Sequence, residues 1–203
     1  MRFYRRAERR PSALGVLPGT FNPVTIAHLA LGKAALSHVD EVLFALPREF
    51  PHKPYTGASF EERLKMLLAS AGDSREFSVA AVQGGLFSDI AAECRAAYGE
   101  DTSLTFLCGR DAAERIVNWD YGTPGAIGAI LRQFSLLVAA RGGEYSPPPE
   151  LRNAIRGLEL SGEFDRVSSS ELRDRIVRGL PWEHLAPPGI QEDVKRIYGT
   201  KPE

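Results

Sequence analysis

The stretch "LPGTFNPVTIAHLAL", residues 17–31, leaves an apolar run, turns through Gly19, Asn22 and Pro23, and enters an apolar helical pattern that carries one histidine, His28. With "ALGVL" (13–17) just upstream reading as a buried strand, the segment is a strand, a tight turn and a helix start. In an open α/β sheet, ligands bind beyond the carboxyl ends of the strands, and the first such turn is the favoured place for a phosphate. Gly19 lets the backbone approach a bound group, Asn22 and Pro23 stiffen the loop, and the helix opens with unpaired N–H groups and roughly half a positive charge. The turn matches neither GxGxxG nor GxxxxGK[ST], so the two common nucleotide cradles are absent.

The same alternation runs onward. Strands are expected at "EVLFALP" (41–47), "FSVAAV" (77–82), "LTFLCG" (104–109) and "SLLVAA" (135–140). Helices are expected at 26–39, 60–71, 88–99, 111–119 and 126–133. Continuous apolar strands separated by helices predict a parallel sheet covered on both faces, an α/β, Rossmann-like doubly wound core over residues 12–146. After the triple proline at 147–149, the segment 147–203 predicts a small C-terminal helical extension packed on the core: a short helix at "PELRNAIRG", a strand near "EFDRV" and amphipathic helices around 169–180 and 188–198. Residues 1–11, with Arg2, Arg5, Arg6, Arg9 and Arg10, read as a solvated basic tail.

The 203 residues are 43% hydrophobic, enough for one substantial core. Twenty-five Lys and Arg against 26 Asp and Glu give a net charge of −1, so no global basic field points to nucleic acid and any anion must be caught locally. Cys94 and Cys108 lie far apart with no CxxC, which argues against zinc and against a disulfide framework and fits a reducing, cytoplasmic location. No signal-peptide core or membrane-spanning run is expected. A homo-oligomer is compatible with this composition.

Thr25 and His28 are three residues apart and share a face once the helix has begun, so they can reach one bound group together. A lone histidine in a first helical turn also has an ordinary structural reading. Far downstream, Ser168 and Glu171 in "RVSSSELRDRI" (166–176) fit a capping box, which starts a helix at or just after Ser168. Arg173 then lies early in that helix, against the macrodipole, with Ser169 and Ser170 beside it, an arrangement suited to an oxyanion such as a polyphosphate. An ordinary capped surface helix with a salt-bridged Arg173 is the other reading. Asp111, after Gly109 at a strand end, is explained as an N-cap without any ligand. Trp119 can plug the core, Lys53 can be a solvated lysine after a proline turn, and Arg141 simply ends a strand.

Taken in order, these segments resemble the bacterial nicotinate-mononucleotide adenylyltransferases, of the nucleotidyltransferase superfamily whose first loop reads GxF[DN]Px[HT]xGH. "FPHKPYTGASFEERLKMLLAS" (50–70), "LTFLCGRDAAERIVNW" (104–119), "FSLLVAARGGEY" (134–145), "RVSSSELRDRI" and "LAPPGIQEDVKRIYG" (185–199) are similar to that family's later motifs. The resemblance implies transfer of AMP from ATP to nicotinate mononucleotide, with release of pyrophosphate. It implies catalytic roles for His28, Thr25, Lys53 and Arg173, and ATP contacts from Gly19, Thr20, Phe21, Asn22, Gly109, Asp111, Ser168, Ser169 and Ser170. Acceptor contacts would come from Phe87, Ser88, Trp119 and Arg141. Mg²⁺ would be held mainly through ATP phosphates and water, with no dedicated protein ligand. The implied partners are small molecules, ATP and a mononucleotide, rather than nucleic acid or membrane.

Three departures from the family pattern stand out. Thr25 replaces the first motif histidine, as in the related pantetheine-phosphate adenylyltransferases, and Ala27 replaces a glycine that allows close ligand approach. At "QGGLFSDI" (83–90), Leu86, Phe87 and Ser88 replace the Gly-x-Ser-Tyr-Thr that shapes a pyridine pocket. Nicotinamide mononucleotide, phosphopantetheine or another phosphate ester as acceptor, CTP as donor, and a catalytically inactive nucleotide-binding protein are therefore the alternatives. An aminoacyl-tRNA synthetase, which shares a related histidine motif, would need a tRNA-binding domain for which this chain is short.

Overall fold

The computed structural model of the chain describes residues 1–48, 57–72, 74–120, 122, 125–139 and 145–199. Its strands are β1 (Arg2–Arg5), β2 (Ala13–Pro18), β3 (Glu41–Pro47), β4 (Phe77–Val82), β5 (Ser103–Gly109), β6 (Ser135–Ala139) and β7 (Ile155–Leu158). Its helices are α1 (Ile26–Ala35), α2 (Phe60–Ala71), α3 (Phe87–Tyr98), α4 (Arg110–Asn118), α5 (Ala126–Ile130), α6 (Ser169–Val177) and α7 (Gln191–Tyr198). The strands form one sheet in the order β1-β4-β3-β2-β5-β6-β7, parallel throughout except for β1. From β2 the chain winds outward through β3 to β4, then crosses back and winds the other way through β5, β6 and β7. This is the doubly wound Rossmann order, and its switch point lies between β2 and β5.

Alternation along each strand divides the core between the two faces of the sheet. Leu17, Val42, Phe44, Leu46, Phe77 and Val79 face α1, α2, α6 and α7, where Met66, Leu67, Leu172 and Val194 are fully or almost fully buried. Leu14, Val16, Leu43, Ala45, Phe106 and Val138 face α3, α4 and α5. Gly32 lets α1 lie close to that first face, since a methyl there would stand 3.1 Å from the Phe44 ring and 3.2 Å from that of Phe77.

Both ends of the chain depart from expectation. The basic stretch read as a solvated tail supplies β1, paired antiparallel with β4, and its arginines are spent on carbonyls and rings. Arg5 donates to Phe77 and Ser74 oxygens at 3.2 and 3.0 Å, Arg10 donates to Tyr98 O at 2.9 Å, and Arg6 lies over the Phe3 and Tyr98 rings. An antiparallel edge strand suits such residues, because guanidinium groups at an edge satisfy open carbonyls and discourage further pairing. In the C-terminal segment, the helix expected over "PELRNAIRG" stops after one 3-10 turn, Pro149–Leu151, and Ile155–Leu158 instead extends the sheet. The strand expected near "EFDRV" is a second 3-10 turn, Gly162–Phe164. Ile155 and Leu158 are both buried, and sheet pairing to β6 outweighs the weak helical pattern around them.

Candidate active site

The site grows from the end of β2. The Gly19 N–H donates to Ala45 O of the neighbouring strand at 3.2 Å, after which the chain turns sharply. Phe21 takes φ +46°, a left-handed conformation that a bulky residue adopts only where its surroundings hold it. Its buried ring folds back over Gly19, where a Cβ would come within 2.9 Å of it, so the glycine makes room for this fold of the loop. The same ring packs against Phe44 and edge-on against His28, at centroid distances of 5.9 and 5.2 Å.

Helix α1 begins at the N-cap Thr25. The Thr25 N–H donates to His28 Nδ1 at 3.0 Å, and the Thr25 hydroxyl lies 2.8 Å from the same nitrogen. An N–H aimed at Nδ1 requires a lone pair there, which assigns the ring proton to Nε2 and turns a donor toward the other edge of the ring. Thr25 is fully buried. The expectation that Thr25 and His28 reach one group side by side is thereby corrected: the threonine stands behind the histidine and orients it.

The start of α6 is bonded to the same turn. Ser168 is its N-cap, accepting from the Glu171 N–H at 3.1 Å. The Glu171 carboxylate pairs with Arg175 at 2.7 Å, so one half of the expected capping box is formed. Ser169 Oγ donates to Pro23 O at 2.7 Å, while Arg173 donates through Nη1 to Asn22 O and through Nη2 to Ser170 Oγ, the latter at 3.4 Å. These bonds join segments some 150 residues apart and set the amino end of α6 against the opening turn. The Ser169 and Ser170 amides precede the helix's first bonds, so they point out along its axis.

A small pocket lies beside His28, lined by Ala27, His28 and Leu31 of α1, Gly109 and Ala139 at the ends of β5 and β6, and Leu160, Phe164 and Asp165; its described lining includes no residue of α6. Gly109, not Asp111, is the N-cap of α4, and among the described residues a side chain at Gly109 would meet no atom within 4 Å. Cys108, one residue back, is no nucleophile: burial pushes its thiol up to about 12, and burial also drives Cys94 up to about 12.

Two residues beyond those predicted fasten the loop. Arg63, buried in α2, donates to Thr20 O at 2.9 Å. Tyr198, the last residue of α7, donates to Asn22 Oδ1 at 2.5 Å. Arg63 lies on the apolar stripe of "FEERLKMLLASA", and that misplaced charge was a usable signal. Nothing in the order of residues pointed to Tyr198.

The acceptor-side residues are not gathered in the same way. Trp119 is 67% exposed rather than plugging the core. It lines an open groove with Asp111, Glu114, Arg115 and Asn118, and that groove shares no described residue with the pocket at His28. The Phe87 ring is stacked on Phe106 at 4.5 Å and 16°, edge-on to Phe134, so it belongs largely to the core, while Ser88 is exposed. Lys53 and Arg141 lie outside the described residues.

The cytidylyltransferase-like family model matches residues 16–175, a span that begins in β2 and ends in α6. The chain belongs to this family. Among curated proteins, the probable nicotinate-nucleotide adenylyltransferase of Citrifermentans bemidjiense is 30% identical, covering 91% of this chain and 97% of its own length. That of Moorella thermoacetica is 28% identical over 92% of this chain and 90% of its own. The fold matches that of Plasmodium falciparum nicotinic acid mononucleotide adenylyltransferase complexed with NaAD, with TM-score 0.66, 17% identity and coverage of 91% of this chain and 95% of that one. This member of the cytidylyltransferase-like family is a nucleotidyltransferase whose curated relatives match it over nearly their whole length.

Proposed function

We propose that the protein transfers the adenylyl group of ATP to nicotinate mononucleotide, giving deamido-NAD and pyrophosphate. The observation that carries this reading is the junction of the opening turn with the start of α6 at the sheet's switch point, through Ser169 to Pro23 O and Arg173 to Asn22 O. The full-length relatives named for this reaction support it.

The acceptor's phosphate has a second pKa of about 6, so near neutral pH its attacking oxygen is already ionised and needs no strong base. That oxygen bonds to the α-phosphorus of ATP as the bond from this phosphorus to the bridging oxygen breaks, and pyrophosphate departs with the electron pair. The protein's part is to hold two polyanions in line and to meet the charge that develops. In this reading the His28 Nε2–H donates to an α-phosphate oxygen, Thr25 sets the tautomer, and Gly19 to Asn22 shape the loop. The Ser169 and Ser170 amides and Arg173 receive the pyrophosphate. Lys53 assists at the phosphates, Asp111 meets the ribose, and Trp119, Ser88 and Arg141 face the acceptor. Among the described residues no group of three or more His, Cys, Asp or Glu side chains is placed to hold a metal. In our reading Mg²⁺ would enter with the ATP phosphates and would supply charge neutralisation when bound. We place the reaction in the cytoplasm, which two buried free thiols suit.

Pyrophosphate release tests the reading, with ATP or CTP offered against nicotinate mononucleotide, its amide analogue and phosphopantetheine. ATP with the nicotinate form is expected to turn over fastest. Preference for the amide or for CTP moves the protein to another member of the same reaction class, and ATP binding without turnover of any acceptor overturns the enzymatic reading.

A further inference from the structure

Asn22 is a hub in the opening loop. Its carbonyl accepts from Arg173 of α6, and its side-chain Oδ1 accepts from Tyr198 Oη of α7 at 2.5 Å and from the Ala58 N–H at 3.3 Å. Gly57, at φ +136°, packs so closely on the amide that a Cβ there would stand 2.4 Å from Nδ2. Asn22 is buried, and a buried carbonyl oxygen that loses its nearer donor loses more than a surface group would. Beside it, Phe21 sits at positive φ, a conformation that persists only while its neighbours are fixed.

Helix α7 reaches this hub from the end of the described chain. Val194 and Ile190 are buried in the core, and Asp193 and Arg196 meet Lys65 and Glu62 of α2 at 2.9 and 3.2 Å. Those ion pairs are exposed and bind the helix only weakly. The Tyr198 hydroxyl, by contrast, ends on the loop that presents the turn before His28.

We propose that Tyr198 is a positioning residue for the transfer reaction: its hydroxyl holds Asn22, and with it the turn of residues 19–25 that carries Phe21 at positive φ, in the arrangement that receives the phosphates. The inference rests on the adenylyl-transfer reading of that loop. Small displacements of reacting groups are expensive, so the loss of this single tether is expected in kcat rather than in folding.

The test compares Tyr198→Phe, which removes only the hydroxyl, with Lys65→Met, which releases an α7 ion pair and leaves the hydroxyl in place. In Tyr198→Phe, kcat is expected to fall about five- to tenfold, the KM values for ATP and acceptor to stay within about twofold, and amide hydrogen exchange over residues 19–25 to quicken. Lys65→Met should leave turnover and loop exchange unchanged. Wild-type turnover and wild-type loop exchange in Tyr198→Phe would overturn the proposal, and so would an equal loss in Lys65→Met, since docking of α7 as a whole would then be responsible. If the wild-type protein transfers no adenylyl group, the exchange comparison still decides whether Tyr198 holds the loop, so the two readings fail separately.

Discussion

The phosphate side and the acceptor side of the site are built in opposite ways. In the segment Gly19 to His28, Thr25 holds the half-buried His28 ring, and Arg63, Ser169, Arg173 and Tyr198 bond to backbone oxygens or to the buried Asn22 side chain. On the acceptor side, Trp119 and Ser88 are exposed, and Phe87 has been drawn into an aromatic stack with Phe106. Under the proposed reaction, preorganisation is concentrated where charge would develop, which is where it accelerates a reaction, and the surface proposed to select the second substrate is left open.

The widest separation between the two sides should appear in His28→Ala. Deleting one preorganised donor to transition-state charge costs on the order of 10²–10³ in kcat, so pyrophosphate release should fall by that factor while calorimetric titration still finds ATP bound. A variant with undiminished turnover would remove the contrast. On the other side, Trp119→Ala should leave stability within about 0.5 kcal/mol and kcat unchanged while the acceptor KM rises about tenfold, the size of a lost stacking contact. An unmoved acceptor KM would take Trp119 out of the binding surface.

The smallest effect concerns pH. The Lys65 ammonium, followed by the Arg196 guanidinium, holds the Asp193 carboxyl below its usual range. The Ser59 N–H, followed by Arg196, does the same for Glu62. A group whose folded pKa is depressed adds stability that is present above its unfolded pKa and is lost as pH falls through the folded one. Protection factors of the α7 amides, corrected for intrinsic exchange, should therefore be flat near neutrality and drop modestly once pH passes below the ordinary carboxylate range. Because the two half-buried carboxyls pair with exposed cations, a large drop would show that α7 is held by these pairs rather than by the buried Val194 and Ile190.

Much of this architecture was legible in the sequence because the period of the apolar residues changes cleanly from strand to helix. "EVLFALP" and "FSVAAV" are strands to the residue, and "FEERLKMLLASA" is a helix over its whole predicted span. The ends were harder. Arg2–Arg5 has no alternation that sets it apart from a basic tail, and only pairing with β4 makes it a strand. Residues 149–158 mix a proline turn with a short edge segment, and tertiary contact decides between them. At the site, glycine, threonine, histidine and the serine run carried their chemistry openly. The division of labour between Thr25 and His28 did not show, because spacing puts two residues on one face without saying which one is buried.

The most direct measurement is a crystal structure with a non-hydrolysable ATP analogue. The triphosphate should lie in the crevice between β2 and β5, within hydrogen-bonding reach of both His28 Nε2 and the amino end of α6. A triphosphate bound elsewhere, or touching only one of those two walls, would contradict the clamp on which the proposed reaction depends.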